Sequence, residues 1–259
     1  MSDATGRLPG LLRSLGVRRG GVLLVHAALG GTGLDAGAVR DALLDALGPG
    51  GTLVVPAFTP ENSDTSTAHL KRVAHLSPAE QDAFRADMAP FDARRTPCPE
   101  MGALAECVRA TPGAVRSTHP QTSFAALGTR AARLMAGHGL DCHLGERSPL
   151  AKLYAVDAQV LLLRAPFGSC TAFHLAEYRL DPAPGTRTYR CVVGERAGNW
   201  IAYEDLELDD SDFDRVGAGL AGDLVREGTL HGRSVRLFAL RDAVEHARRN
   251  LAELRPWLT

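Results

Sequence analysis

The sequence is short of several things, and each shortage narrows what the chain can do. It has no apolar run longer than a strand, so no segment is long enough to cross a membrane as a helix. Its first ten residues, MSDATGRLPG, contain no apolar core of the kind a secretory signal needs. Its net charge is only −1, which argues against a nucleic-acid surface. Its five cysteines are odd in number, scattered and free of any CxxC pair, the pattern of reduced cytosolic thiols rather than of disulfides or a zinc site. The one glycine-rich loop that follows a strand, AALGGTG, is neither GxGxxG nor GxxxxGK[ST], so a nucleotide fingerprint is absent there. No repeat, low-complexity tract or clear linker is found. What remains is an ordinary globular composition, 45% hydrophobic and 23% charged over 259 residues, enough to bury a full core.

Residues 8–15 read as a short helix ending at Gly16, and 21–26 (GVLLVH) as a buried strand that runs into the glycine-rich AALGGTG. A helix follows over 35–47, with Val39, Leu43 and Leu47 on one stripe. Residues 52–57 form a second buried strand. The segment after it, TPENSDTST, is too polar and long for a tight turn and is a candidate binding loop. Ser77-Pro78-Ala79-Glu80 is a capping box opening a helix. PFDARRTPCP (90–99) is too proline-rich for regular structure, and 101–110 and 130–137 read as helices. Residues 186–193 and 200–203 alternate like antiparallel strands around GERAGN. Helices are expected over 212–226 and 240–254, with an extended piece at 233–237 between them. The fold class expected is α/β: a mostly parallel central sheet with flanking helices and an antiparallel C-terminal addition.

The densest chemistry lies in LLLRAPFGSCTAFHLAEYR (161–179). An apolar strand breaks at Pro166, Gly168 and Ser169, with Ser169 as candidate N-cap, and a helix follows. On that helix His174, Glu177 and Tyr178 share a face. A strand that ends in a tight turn and feeds a helix is where open α/β sheets place ligands. Cys170, Thr171, His174 and Glu177 all stand at that edge.

Taken in order, VHAALGGTG (25–33), GPGGTLVVPAFT (48–59), ENSD (61–64), MGALAECVR (101–109), RSTHPQTSFAALG (116–128), LGERSPLAKLY (144–154), CTAFHLAEYR (170–179) and W-x-x-x-E-D (200–205) resemble the aminoglycoside 3-N-acetyltransferase family, of the antibiotic N-acetyltransferase type. The resemblance covers nearly the whole chain. It implies one such domain over 1–259, with the parallel part over about 1–180 and antiparallel strands plus C-terminal helices over about 181–259. It also implies acetyl transfer from acetyl-CoA to the 3-amino group of an aminoglycoside or related polyamine-like small molecule, in resistance or self-protection. No metal, nucleic acid or membrane is implied, the location is cytoplasmic, and the oligomeric state stays open. By position, His174 would be the general base, Glu204 would hold its imidazole, and Thr171 would lie beside the thioester. Ala27, Ala28, Leu29, Gly30 and Gly31 would cradle the pyrophosphate of coenzyme A through backbone N–H groups. His119, Ser123 and Phe124 would line the same channel. The family commonly has Ser, and often Arg, where this chain has Ala28 and Gly30, which leaves backbone contacts as the means of holding phosphate. Where the family usually reads G-V-G, this chain has Arg164-Ala165-Pro166, and Arg164 is left between binding an anion and shaping acceptor choice.

The chemistry is coherent. An imidazole with an ordinary pKa of about 6.5 can take the proton an attacking amine must lose. A carboxylate on its other nitrogen fixes the tautomer, and the Thr171 hydroxyl or N–H groups at the helix start can meet the oxyanion. A polycationic acceptor calls for carboxylates, with Asp64 first and Glu177 behind it. Two rivals remain: a thiol acyl enzyme built on Cys170 and His174, and a non-catalytic binder of coenzyme A or a cationic antibiotic. A metal at His174 and Glu177 finds no second histidine at ligand spacing.

Overall fold

In the computed structural model, described over residues 6–220 and 222–255, nineteen helices and strands follow one another. They are α1 (Leu8–Leu15), β1 (Val22–Ala27), α2 (Ala36–Leu47), β2 (Thr52–Pro56), α3 (Thr67–Val73), α4 (Pro78–Asp87), α5 (Gly102–Ala110), β3 (Val115–Arg116), β4 (Phe124–Gly128), α6 (Ala131–Met135), α7 (Pro149–Ala155), β5 (Gln159–Leu163), α8 (Ala172–Glu177), β6 (Thr186–Val192), β7 (Trp200–Leu206), α9 (Phe213–Ala218), β8 (Arg226–Leu230), β9 (Arg233–Ala239) and α10 (Leu240–Leu254). Seven strands form one sheet in the order β3-β4-β2-β1-β5-β9-β8, and β6 pairs with β7 apart from it.

The expected α/β layout holds. Its parallel part is the centre, where β1 pairs in parallel with both β2 and β5. The flanks run antiparallel, β4 against β2 and β9 against β5. The central strands are apolar without a break because both faces are covered. Period-two alternation sends Val22, Leu24, Val160 and Leu162 into one core with α6–α10, and Leu23, Val25, Leu161 and Leu163 into the other with α1, α2 and α5. The helix starts are locally encoded. Asp35 accepts from the Ala38 N–H, and Ser77 with Glu80 closes a complete capping box. Gly16 ends α1 at φ 83°, a left-handed conformation natural to glycine.

One expected helix is mostly something else. Residues 212–226 supply only the short α9, and Arg226–Leu230 is β8, paired antiparallel with β9. Leu224 and Val225 still pack on the core, but the Gly217 and Gly219 positions interrupt the helix after two turns.

The β6–β7 hairpin is fastened to the rest by buried polar groups. Asp205 Oδ2 accepts from the His143 backbone N–H at 2.6 Å and from the Tyr178 hydroxyl at 2.8 Å, and lies 2.5 Å from His143 Nδ1. His143 Nε2 is 3.1 Å from Gln121 Oε1 and from the Tyr203 hydroxyl. The His119 ring lies tilted against those of His138 and His143, with centroids 4.8 and 4.7 Å apart. Burial pushes Asp205 up, but the bonds from His143 and Tyr178 outweigh it and hold the carboxylate below its ordinary value. Burial holds His138 down to about 4 and His119 well below 6.5.

Those depressed histidines give stability a pH dependence. Between pH 6.5 and about 4 an unfolded His138 takes up a proton that the folded one refuses. Stability therefore falls as the pH drops through that window and levels off below it. At about 1.4 kcal/mol per unit, His138 costs on the order of 3 kcal/mol by the lower end. The urea midpoint of the wild type should drop steeply from pH 7.5 to 4.5, and that of His138→Gln should drop less. Equal slopes would remove His138 as the cause.

Candidate active site

Parallel β1, β2 and β5 all end at one edge of the sheet, and a cavity of about 390 Å³ opens there. Its walls include His26, Ala27 and Ala28 from the end of β1, Gly168–Thr171 after β5, and His174 on α8, with Phe213 behind. This is the position at which open α/β sheets hold ligands. Helix α8 starts later than the sequence suggests, at Ala172, because a 3-10 turn over Phe167–Ser169 comes first. Ser169 Oγ donates to the Pro166 carbonyl rather than capping the helix. The N-cap is Thr171, whose hydroxyl is not used as a cap and lies 3.3 Å from His26 Nε2. Burial pushes the His26 imidazole down to about 3, so it is neutral at any working pH.

His174 is mostly covered and lies against the Phe213 ring at 4.6 Å. Its Nδ1 is 2.5 Å from Glu177 Oε2, one helical turn on. Its other nitrogen, Nε2, has no partner among the described residues, and the side chain lines the cavity. Glu177 has no solvent exposure at all. Its second oxygen accepts from the Arg255 guanidinium at 2.7 Å and from the Asp209 backbone N–H at 3.0 Å.

Three groups of expected site residues are placed elsewhere. Glu204 is exposed on β7 and bonded to Thr188 across the hairpin, not to His174. Strand alternation turns Glu204 outward and its neighbour Asp205 inward, so the carboxylate on His174 is Glu177. Glu177 in turn has both oxygens engaged and no surface with which to meet an acceptor. Asp64 pairs with Arg190 at 3.0 Å and does not line this cavity. His119, Ser123 and Phe124 also stand behind the wall. The His119 ring accepts from the Gln121 and Thr122 N–H groups and donates to the Leu140 carbonyl. Ser123 donates to the Ala57 carbonyl, and Phe124 is fully buried, edge-on to Phe58 at 5.5 Å. Of the 27–31 loop, Ala27 and Ala28 line the cavity, whereas Leu29 is buried and Gly30 and Gly31 are exposed outside it. Arg164 (φ 63°) donates through Nε to the Ala28 carbonyl and through Nη1 to the Leu230 and His231 carbonyls, which ties the loop after β1 to the turn between β8 and β9.

A larger cavity of about 850 Å³ adjoins the first, with Phe58 and Glu100 in the walls of both. Four carboxylates line it. Glu61 is paired with Arg72 at 2.5 Å and Glu80 is held in the capping box, whereas Asp87 and Glu100 have no partner among the described residues. Cys170 is fully buried, and burial pushes its thiol up to about 12, so it does not form the thiolate that an acyl-cysteine requires. Among the described residues no group of three or more His, Cys, Asp or Glu could hold a metal ion. No described helix is long and apolar enough to cross a membrane.

His26 escaped the sequence reading, although it is the one polar side chain in the GVLLVH strand and stands at its carboxyl end. Asp205 was open to detection, since β7 alternation puts it on the inward face with Tyr203. Arg255 had no local signal: it reaches Glu177 from 78 residues away.

Comparisons with known proteins identify the family. The family model described as "Aminoglycoside 3-N-acetyltransferase" matches residues 24–252. The SPbeta prophage-derived aminoglycoside N(3')-acetyltransferase-like protein YokD of Bacillus subtilis (strain 168) is 35% identical, over 91% of this chain and 88% of its own length. Its crystal structure superposes with a TM-score of 0.87 at 33% identity, covering 96% of this chain and 93% of that one. Aminoglycoside N(3)-acetyltransferase VII of Streptomyces paromomycinus is 35% identical over 92% of this chain and 88% of its own. AAC-IIIb, solved as a binary complex with CoASH, gives a TM-score of 0.82 at 28% identity over 97% of both chains. AAC-VIa bound to sisomicin gives 0.78 at 27% identity, over 97% of this chain and 98% of that one. The chain therefore belongs to the aminoglycoside 3-N-acetyltransferase family and is an N-acetyltransferase.

Proposed function

We propose that the protein transfers the acetyl group of acetyl-CoA directly to the 3-amino group of an aminoglycoside, with His174 as general base. The observation that carries this reading is the His174–Glu177 pair, with Nδ1 held and Nε2 unpartnered in the wall of a cavity at the sheet's carboxyl edge. The CoASH-bound relative supports coenzyme A as co-substrate, and the sisomicin-bound one supports the acceptor class. The thioester end occupies the smaller cavity beside Thr171, with the coenzyme A chain leaving past Ala27 and Ala28. The acceptor enters from the larger cavity, past Phe58 and Glu100.

The acceptor amine attacks the thioester carbonyl carbon as His174 Nε2 removes its proton. Glu177 keeps the tautomer with hydrogen on Nδ1 and stabilises the imidazolium that forms. The oxyanion is met by the Thr171 hydroxyl. His26, being neutral, can donate through Nε2 to Thr171 Oγ and leave the hydroxyl hydrogen free for the oxyanion. The carbon–sulfur bond breaks, coenzyme A leaves as thiolate, and the proton on His174 returns to sulfur.

His174→Ala should lower kcat by roughly 100- to 10,000-fold while leaving coenzyme A affinity by calorimetry nearly intact. Glu204→Gln, on an exposed hairpin face, should turn over near the wild-type rate. The reverse pattern in a coupled thiol assay would transfer the role to Glu204. Cys170→Ala should keep its activity, and intact-mass spectra after mixing with acetyl-CoA should show no acyl-enzyme. An acetylated Cys170 would establish the two-step thiol route instead. Glu100→Gln should raise the acceptor's KM, leave that of acetyl-CoA alone and flatten the salt dependence of acceptor binding. Equal changes in both constants would count against an acceptor contact there.

A further inference from the structure

We propose that Arg255 is a positioning residue for the general base: it fixes Glu177 from behind and limits how tightly the His174–Glu177 pair holds its proton. The inference rests on the reading of His174 as the base, and goes beyond it by assigning the residue that controls it. Arg255 lies past residue 252, where the family match ends.

The geometry is that of a three-way fork. Arg255 caps the end of α10 and is only 3% exposed. Nη1 donates to Glu177 Oε1 at 2.7 Å, Nε to Asp212 Oδ2 at 3.1 Å, and Nη2 to the Asp209 carbonyl at 2.5 Å. These bonds hold Arg255 in a single orientation, and through it the Glu177 carboxylate, whose other oxygen meets His174. An ionised carboxylate without solvent contact needs a compensating cation. Glu177 has two candidates, a permanent one in Arg255 and a conditional one in protonated His174, and they share the same negative charge. With Arg255 present, Glu177 draws a proton onto His174 less strongly, and the ring stays available to accept one from the amine.

The other charged groups around His174 do not duplicate this role. Asp209 and Asp210 lie in the segment after β7, half-exposed or exposed, and Asp209 engages Ser211 and Arg255. On α9, Asp214 accepts from the Gly168 N–H. His26 on β1 is neutral, and Glu100 stands across the cavity. On α10, Glu245 is committed to Tyr154 and to Arg248, and His246 to the Val216 carbonyl. On α7, Lys152 donates to the Arg133 and Ala136 carbonyls. Arg255 is the cation in direct contact with the pair.

The test is an NMR titration of the histidine ring nitrogens in the free protein, with the His174 signal assigned by its loss in His174→Gln. In Arg255→Gln, shown to be folded by circular dichroism, the midpoint of the His174–Glu177 pair should rise, because the carboxylate loses its permanent counter-charge. Acetyl transfer to sisomicin should then fall at neutral pH and recover at higher pH. In Arg255→Lys, which keeps the charge but loses the fork, the midpoint should stay near the wild-type value while kcat drops at unchanged acceptor KM. A folded Gln variant with the wild-type midpoint would overturn the proposal. If the Gln variant does not fold, a Lys variant with the wild-type kcat and pH profile would overturn it as well. Should no variant and no wild type acetylate sisomicin, the titration still decides the role of Arg255, and the failure belongs to the acceptor reading.

Discussion

A carboxylate stripped of all water must be compensated where it lies, and the edge of this protein that carries the chemistry is built around one such group. Glu177 has no exposed surface, and its oxygens are divided between His174 on one side and Arg255 with the Asp209 N–H on the other. To meet that demand, α8, the segment after β7 and the end of α10 must all arrive at the same point. Their convergence also packs Phe213 against the His174 ring and closes the back of the smaller cavity. Loss of Arg255 would leave Glu177 with only the histidine as a possible counter-charge, and an uncompensated buried carboxylate is destabilising.

A second buried carboxylate does the corresponding work for the hairpin. Asp205, with His143 and Tyr178, ties β7 to the loop before α7 and to the residue that ends α8. The hairpin in turn holds the helical wall of the larger cavity, where Trp200 Nε1 donates to the Arg85 carbonyl and the Gly198 N–H to that of Met88. No side chain of α4 is buried, so these bonds, with its own caps, keep the helix beside the larger cavity. The two buried acids thus divide the labour. Glu177 holds the His174 ring, and Asp205 holds the hairpin that supports one wall of the larger cavity.

Much of this was legible in the chain. The apolar strands, the capping boxes and the break at Pro166 all act over a few residues, and the structure follows them. The i, i+3 spacing of His174 and Glu177 already placed them on one helix face, and their contact is what that spacing allows. Where the structure places an expected site residue away from the cavity, strand parity, burial or a bond to a neighbour accounts for it. Glu204 points outward, His119 and Ser123 spend their polar atoms on backbone groups, and Asp64 is taken by Arg190. The helix expected over 212–226 stops at Ala218, and the chain turns before β8 begins at Arg226, an edge strand set by its pairing with β9.

By itself, the sequence determined the α/β class, the family, the two buried central strands and the helix that carries His174, since each is written in contiguous patterns of apolarity, turn chemistry and motif order. Only the tertiary structure decided which carboxylate meets His174, that Cys170 is buried and protonated, and that His26 stands beside Thr171. It alone brought Arg255 to Glu177 from a helix 78 residues further along. The division has a physical cause: helix periodicity and capping are set by neighbours within a turn or two. Burial, ion pairing and the pKa shifts they produce depend on which distant segments exclude water from the same spot, and no local pattern encodes that.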